Sequence, residues 1–254
     1  MRTILAANRQ AMGKWIAKHA AETLLQAIEE NGKASMVLSS GSAQFELIAA
    51  LVKQRKVDWS RVVAYQIGEY VGIKSDDPGS VCRYLHERFA NQVSLADFHD
   101  IDGKQPIANS IEQITEPLQN STIDLALISM GESGDLAMNG PPADFQIVDP
   151  YINIKLAKTF RKQQVGEGWF ASLGKVPQQA VTMSIQQLLK CKTIYCAVPD
   201  DRNARAVCRA IEGDIDPEVP ASILQWHHGT TIVCDRAAAS KLKRKSLDQM
   251  ERVR

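Results

Sequence analysis

The sequence has no excess of charge of either sign and no long apolar run. Its 254 residues carry 30 Lys and Arg against 29 Asp and Glu, so the formal net charge is +1. A chain this close to neutral lacks the basic footprint of a nucleic-acid-binding protein. No apolar run reaches the roughly 18 residues of a membrane span, and residues 1–8 become polar too soon for a secretory signal. We therefore expect neither a nucleic-acid partner nor a membrane partner.

Cysteine is scarce, and its spacing matches no metal site. The five cysteines are odd in number, which argues against a disulfide framework. Cys196 and Cys234 lie in apolar runs typical of strands, where a reduced cysteine packs as a small hydrophobic residue. The sequence therefore predicts a cytoplasmic protein that holds its cysteines reduced. It predicts no metal ion and no cofactor.

The chain contains no linker, repeat or low-complexity segment. With 44% hydrophobic residues, it is predicted to form one domain over residues 1–254. Predicted helices cover residues 9–30, 44–54, 81–90, 107–118 and 202–212, and predicted strands cover residues 34–38, 61–67, 123–130, 193–198 and 230–234. This alternation favours an α/β fold in which helices cover both faces of a mostly parallel sheet.

The least regular part of the chain is the segment from about residue 150 to 176. It carries Gly166, Gly168 and Gly174 and shows no clear periodicity. One interpretation is a lid that covers a binding site. The other is an ordinary surface excursion.

A short turn of small residues follows the predicted strand 34–38. Its residues are Ser39, Ser40, Gly41 and Ser42. Hydroxyls, a glycine and free backbone N–H groups at the start of a helix suit a phosphate. No Lys-Ser or Lys-Thr pair follows, so this is not the nucleotide-binding loop pattern. The alternative is a plain helix N-cap by Ser42.

A second glycine-rich loop, residues 131–142, follows the buried strand 123–130. Open α/β sheets hold their ligands at such strand ends. An enzyme that moves protons needs a histidine or a suitable carboxylate pair there. This loop offers Ser133, Asp135 and Gly140 instead.

Several segments together resemble the glucosamine-6-phosphate deaminase family, the aminosugar-phosphate isomerases related to 6-phosphogluconolactonases. The similar segments are residues 39–42, 67–72, 77–80, 84–85, 131–142, 161–170, 181–185 and 219–225. They follow the family's order from about residue 33 to residue 240. The resemblance implies a Rossmann-like α/β fold and a sugar 6-phosphate ligand, typically an amino sugar. It also includes a homo-oligomer among the expected assemblies.

The resemblance implies specific phosphate contacts. The turn of Ser39, Ser40, Gly41 and Ser42 matches the family's phosphate-binding turn, and Arg161 matches its lid arginine. The family's phosphate lysine falls on Asn203. The neighbouring Arg202 is the alternative cation, although consecutive helical residues point about 100° apart.

The catalytic positions of the family are substituted. The implied reaction opens the sugar ring, moves a proton between C1 and C2, and releases ammonia. The family's aspartate base corresponds to Gly68, its histidine to Asp135, and the acid that follows Asn139 to Gly140. Ser133 stands where the family has Asp or Asn. The proton-transfer groups are therefore missing or replaced.

The sequence accordingly predicts a protein that binds a hexosamine 6-phosphate or a similar sugar phosphate with weak or no deaminase turnover. The alternative is an active aminosugar-6-phosphate deaminase or isomerase, or a sugar-phosphate lactonase, that uses Asp135 and Glu69. Asp135 serves only if burial raises its pKa above the ordinary value of about 3.9. Glu69 serves only if Gly68 lets the strand end twist, because successive strand side chains face opposite ways.

Overall fold

The computed structural model describes residues 1–119 and 121–254. Its strands are β1 (Arg2–Ala6), β2 (Ala34–Leu38), β3 (Val62–Gln66), β4 (Gly68–Tyr70), β5 (Asp97–His99), β6 (Leu125–Ser129), β7 (Tyr151–Lys155), β8 (Gln179–Met183), β9 (Thr193–Val198), β10 (Thr230–Asp235) and β11 (Glu251–Val253). Its helices are α1 (Arg9–Asn31), α2 (Phe45–Leu51), α3 (Val81–Arg88), α4 (Ile107–Thr115), α5 (Lys158–Gly166), α6 (Ile185–Leu189), α7 (Ala204–Glu212) and α8 (Arg244–Gln249).

Eight strands form one parallel sheet in the order β11-β1-β10-β9-β6-β2-β3-β5. Three more form a small antiparallel sheet in the order β4-β8-β7. The predicted parallel α/β fold is confirmed. The small sheet was not predicted from the sequence: β4 has only three residues, β7 lies in the segment that showed no clear periodicity, and β8 follows that segment.

The large sheet has a hydrophobic core on each face. Along β2, Met36 and Leu38 belong to one core and Val37 to the other, as the two-residue strand period requires. Helix α1 contributes Ile16 to the first core, and α7 contributes Val207 to the second. The sheet is therefore buried on both sides, which is typical of parallel sheets.

Helix α1 has clear start and stop signals, and the predicted helix 9–30 is confirmed. The side chain of Asn8 accepts a hydrogen bond from the Ala11 amide at 2.9 Å. Gly32 ends the helix in the left-handed region with φ 75°. Within α1, Gly13 is buried against the backbone of α2, so the two helices pack at close range.

Two expectations need correction. The segment 150–176 is more regular than predicted, because it contains β7 and α5. The sequence analysis predicted no strand after residues 230–234, but β11 follows β10 and pairs with β1. The five cysteines are free. Among the residues described, no helix is both long and apolar enough to cross a membrane.

Replacement of Gly13 by Ala should destabilise the fold. The added Cβ would lie 2.6 Å from the Glu46 carbonyl carbon, so the helices must separate. We expect the free energy of unfolding to fall by about 1–3 kcal/mol despite the better helix propensity of Ala, which is worth about 1 kcal/mol. Urea denaturation measures this difference. Gly166→Ala, in α5 with open space around its Cβ position, is the control and should be neutral or stabilising. Equal stability of both variants would contradict the close approach of α1 and α2.

Candidate functional site

A cleft opens where the carboxyl ends of β2 and β6 meet. The strands pair in parallel with Leu38 opposite Leu127, so the turn after β2 and the loop after β6 lie side by side. From here the sheet continues to β3 on one side and to β9 on the other, which is where open α/β sheets bind ligands. The cleft has a volume of about 680 Å³, including its solvent-open part. Residues of α5 and of the turn before α7 complete its walls.

The turn of residues 39–42 forms one wall of the cleft. The Ser39 amide donates to the Leu127 carbonyl at 2.9 Å, which fixes the turn to the end of β6. Gly41 has φ 108°, a backbone conformation that favours glycine. The Ser42 hydroxyl donates to the Glu167 carboxylate at 3.0 Å, and no side chain caps α2. The plain N-cap interpretation of Ser42 is therefore wrong.

Arg202 brings a cation to this turn. Its guanidinium donates to the Ser42 hydroxyl at 3.0 Å and lies 3.3 Å from the Glu167 carboxylate. Asn203, the other candidate for the phosphate contact, also lines the cleft but is a neutral amide that donates to the Pro199 carbonyl at 2.7 Å. Of the two residues, Arg202 is the one that can attract an anion by charge.

Arg161 and Ser133 do not belong to the lining of the cleft. The Arg161 guanidinium donates to the carbonyl groups of Leu173 at 2.7 Å and Val176 at 2.9 Å. These bonds hold the loop after α5 against the helix. A direct phosphate contact by Arg161 stays a prediction from the resemblance, and in this structure its Nη2 atom donates to the loop.

Asp135 lies in the wall of the cleft and is 3% exposed. Burial raises the pKa of its carboxyl group to about 7; amide hydrogen bonds within residues 133–135 oppose the rise, and the nearby Glu167 and Glu132 charges add to it. Gly131 makes room for this carboxylate, because a side chain at that position would overlap it. A carboxyl group that titrates near neutral pH can both donate and accept a proton.

Glu69 has a different position. Its buried carboxylate accepts hydrogen bonds from the Tyr70 amide at 2.7 Å, the Cys82 amide and the Ser80 hydroxyl at 2.8 Å, and the Val81 amide at 3.2 Å. Glu69 therefore accepts hydrogen bonds from backbone amides at the N-terminus of α3 that have no partner within the helix. Its two chain neighbours line the cleft, whereas Glu69 faces away, as strand alternation requires. The structure gives no support to the hypothesis that Glu69 reaches the site.

The two glycines that the resemblance matches to catalytic positions differ in the space around them. A Cβ on Gly68 would lie 2.8 Å from the Val181 carbonyl oxygen and 3.1 Å from the Thr182 hydroxyl, so β8 fills that space. A Cβ on Gly140 would meet only the Ala157 methyl group, at 3.4 Å. The backbone therefore resists a side chain at position 68 and tolerates one at position 140.

Sequence reasoning missed Glu167 as a cleft residue. Its side chain is 6% exposed, and its carboxylate accepts hydrogen bonds from the Gln163 amide at 2.8 Å and the Trp169 indole at 3.0 Å. The available signal was an acidic residue between two glycines, Gly166 and Gly168, inside the family-like segment 161–170.

Arg9 was also missed. Its guanidinium pairs with Asp200 at 3.0 Å and with Glu46 at 3.2 Å, and it donates to the Ser42 carbonyl oxygen. Arg9 therefore stabilises the turn of residues 39–42 through its backbone. Nothing in the sequence pattern of α1 distinguishes this arginine from a solvated one.

Several buried polar atoms around the cleft have no hydrogen-bond partner among the described residues. Those on cleft-lining residues are Ser39 Oγ, Asp135 Oδ1, Arg202 Nε and Asn203 Oδ1. Buried polar groups are normally paired, so such a concentration calls for a physical reason. A polar ligand in the cleft would supply the partners.

A group of three metal-ligand types lies outside the cleft. Donor atoms of Cys82, His86 and Asp100 lie within 4.8 Å of one another. His86 Nε2 is 2.7 Å and Cys82 Sγ is 3.4 Å from the same Asp100 oxygen. Burial, with the charge of Asp100, raises the pKa of the Cys82 thiol to about 12. Mutual hydrogen bonding accounts for this group, and the geometry requires no ion.

The two glycine positions should respond differently to an aspartate. Gly68→Asp should lower the free energy of unfolding by about 1–3 kcal/mol, because its side chain must displace the β8 backbone. Gly140→Asp should change it by less than about 1 kcal/mol. Thermal and urea denaturation of both variants measure the contrast. A Gly68→Asp variant as stable as Gly140→Asp would contradict the packing described for β4 and β8.

Asp135 should make stability depend on pH. Its pKa is about 7 in the folded chain against an ordinary 3.8, so between these values the folded state binds more protons than the unfolded state. The free energy of unfolding should therefore fall as pH rises through this range, by at most about 1.4 kcal/mol per pH unit from this group. Asp135→Asn removes this slope and should be the more stable protein at pH 8. Urea denaturation from pH 5 to pH 8 tests this, and parallel curves for the two proteins would contradict the burial of a titrating carboxyl group.

Comparison with known proteins identifies the family. Residues 7–137, more than half of the chain, match the model of the family described as glucosamine-6-phosphate isomerases/6-phosphogluconolactonase. A glucosamine-6-phosphate deaminase of Clostridium botulinum is 29% identical over 251 residues, which cover 96% of this chain and 100% of the relative. One of Lactobacillus delbrueckii subsp. bulgaricus is 28% identical over 244 residues, with the same coverage.

Solved structures give the same fold. A monomeric glucosamine-6-phosphate deaminase superposes with a TM-score of 0.86 at 24% identity, over 94% of this chain and 99% of that one. A 6-phosphogluconolactonase from Shewanella baltica OS155 superposes with a TM-score of 0.77 at 20% identity, over 92% and 97%. The chain belongs to the family of glucosamine-6-phosphate isomerases and 6-phosphogluconolactonases.

Proposed function

We propose that this protein binds a hexosamine 6-phosphate, or a sugar phosphate of similar size, and deaminates it slowly or not at all. Relatives named glucosamine-6-phosphate deaminase match it over nearly their full length. One observation carries the proposal. The cleft pairs a serine-rich turn and Arg202 with Gly68, which the resemblance matches to a family carboxylate. Gly140, matched to a second carboxylate, lies outside the lining of the cleft.

The phosphate end of the ligand fits the turn of residues 39–42. The buried Ser39 hydroxyl has no partner among the described residues, and the Ser42 hydroxyl already lies 3.0 Å from the Arg202 guanidinium. Hydroxyls and a planar guanidinium together suit phosphate oxygens, since arginine can donate two parallel hydrogen bonds to them. These residues support the binding part of the proposal.

The described lining of the cleft contains too few side chains that can transfer a proton. Gly68 and Gly140 offer no side chain, and the cleft-lining residues described include no histidine. Asp135 stands where the family has that histidine. Loss of one general acid–base group typically costs about 10²–10⁴ in rate. Because such groups act as a unit, the loss of several need not multiply these costs.

One observation favours a second candidate, residual catalysis by Asp135. Burial raises the pKa of its carboxyl group to about 7, which is suitable for proton transfer at neutral pH. An aminosugar-6-phosphate deaminase or isomerase, or a sugar-phosphate lactonase, could work slowly with this single group. Glu69 has no part in this scheme, because the Ser80 hydroxyl and the Cys82 amide at the start of α3 already donate hydrogen bonds to its carboxylate.

Glucosamine 6-phosphate and galactosamine 6-phosphate test the proposal directly. At about 100 times its dissociation constant, a bound ligand should raise the free energy of unfolding by roughly 2.7 kcal/mol. We expect this stabilisation in the native protein with ammonia release slow or absent. Arg202→Gln should remove most of it. Arg209→Gln, on the exposed side of α7, is the matched control and should retain it.

The outcomes separate the two candidates. Ammonia release that Asp135→Asn abolishes would favour catalysis by Asp135. Rapid turnover that survives Asp135→Asn would contradict both candidates. No stabilisation by either amino sugar phosphate would contradict the proposed ligand.

A further inference from the structure

The carboxylate of Glu167 occupies the place in which the proposed ligand's phosphate would be bound. It accepts a hydrogen bond from the Ser42 hydroxyl at 3.0 Å and pairs with the Arg202 guanidinium at 3.3 Å. Both groups belong to the proposed phosphate site. At 6% exposure, the Glu167 side chain is nearly as inaccessible as a core residue.

An incoming phosphate and this carboxylate need the same donors. Carboxylate and phosphate oxygens take the same short, charge-assisted hydrogen bonds from hydroxyl and guanidinium groups. Two anions at one small cluster of donors also repel each other, and burial strengthens that repulsion. Arg202 is already shared, because Asp200 and Glu132 lie 3.5 Å and 3.8 Å from it. The cluster has no spare positive charge for a second anion.

The contacts of Glu167 divide into two sets. Gln163 and Trp169 lie on its own segment, and their bonds to it can persist when that segment moves. Ser42 and Arg202 lie on the body of the domain. Release of Glu167 from the site therefore breaks only the second set.

The two glycines beside Glu167 leave open space around the chain, while the backbone amides of residues 167–169 donate to carbonyl groups of α5. These glycines are Gly166 and Gly168, and the space around both Cβ positions is open for 4 Å. Gly168 has φ 81°, in the left-handed region that glycine enters at little cost. The carboxylate thus sits on a stretch of chain that can change direction without a steric clash at either glycine.

We propose that Glu167 is an internal competitor for the anion site, and that it sets which anions the turn of residues 39–42 accepts and how tightly. An anion binds only by displacing this carboxylate from Ser42 and Arg202. The inference rests on the proposed function for the assignment of the anion as a sugar phosphate. It rests on the contacts of Glu167 for the competition itself.

The test compares Glu167→Gln with the native protein in calorimetric titrations with inorganic phosphate and, separately, with glucosamine 6-phosphate. Glutamine keeps the shape and can still accept from Ser42, but it carries no charge. We expect inorganic phosphate to bind Glu167→Gln at least about tenfold more tightly than the native protein. Glu132→Gln is the matched control. It removes a charge near the same arginine, but from a side chain that is 41% exposed, and should change affinity by less than about threefold.

Tryptophan fluorescence of the native protein gives a second test, in which Glu167 is not substituted. Trp169 lies on the segment of Glu167 and packs against Phe45 and Tyr84 outside it, so the surroundings of its indole change when the segment moves. Addition of inorganic phosphate should change the tryptophan emission, and Trp169→Phe should abolish that change.

The inference is overturned if Glu167→Gln binds inorganic phosphate no more tightly than the native protein or Glu132→Gln. It is also overturned if neither protein binds phosphate at millimolar concentration, or if phosphate binds the native protein without changing the Trp169 emission. If Glu167→Gln binds inorganic phosphate more tightly than the native protein but does not bind glucosamine 6-phosphate, the proposed ligand is refuted and the competition by Glu167 is not.

Discussion

The parallel pairing of β2 with β6 is the constraint on which the rest of the site depends. It places the turn of residues 39–42 beside the loop of residues 131–142, and the bond from the Ser39 amide to the Leu127 carbonyl fixes that contact at one residue. The two segments are about 90 residues apart in the chain, and only the crossover connections of a parallel sheet bring them together. Every candidate ligand contact in the cleft assumes this register.

Two arginines and several carboxylates lie in the wall of the cleft or next to it. Arg9 and Arg202 both pair with Asp200, and Arg202 also pairs with Glu167. Asp135 has no ion-pair partner among the described residues. Such a balance suits a ligand that carries both a negative and a positive group, as an amino sugar phosphate does. It is less suited to a simple polyanion. The electrostatics of the site are therefore compatible with the ligand proposed above.

Much of the architecture was predictable, and parts of the site were not. The bounds of β2 and β9 agree with the sequence prediction, because each is a short, mainly apolar run between polar or turn residues, which is typical of a buried strand. The position of Asp135 in the cleft also follows from its loop. Strand alternation predicted that Glu69 faces away from the site, but no local pattern encodes the groups that bind Glu69 and Arg161, such as the Cys82 amide and the Leu173 carbonyl. Glu167 was missed because one acidic residue between glycines has no periodicity.

Both outer strands of the large sheet, β5 and β11, are only three residues long. Their exposed residues include Asp97, Glu251 and Arg252, so each border is short and charged. Long, flat, apolar borders invite a strand from another molecule, whereas borders of this kind offer few main-chain groups for such an addition. The protein can thus carry a wide, entirely parallel sheet with little tendency to polymerise through it.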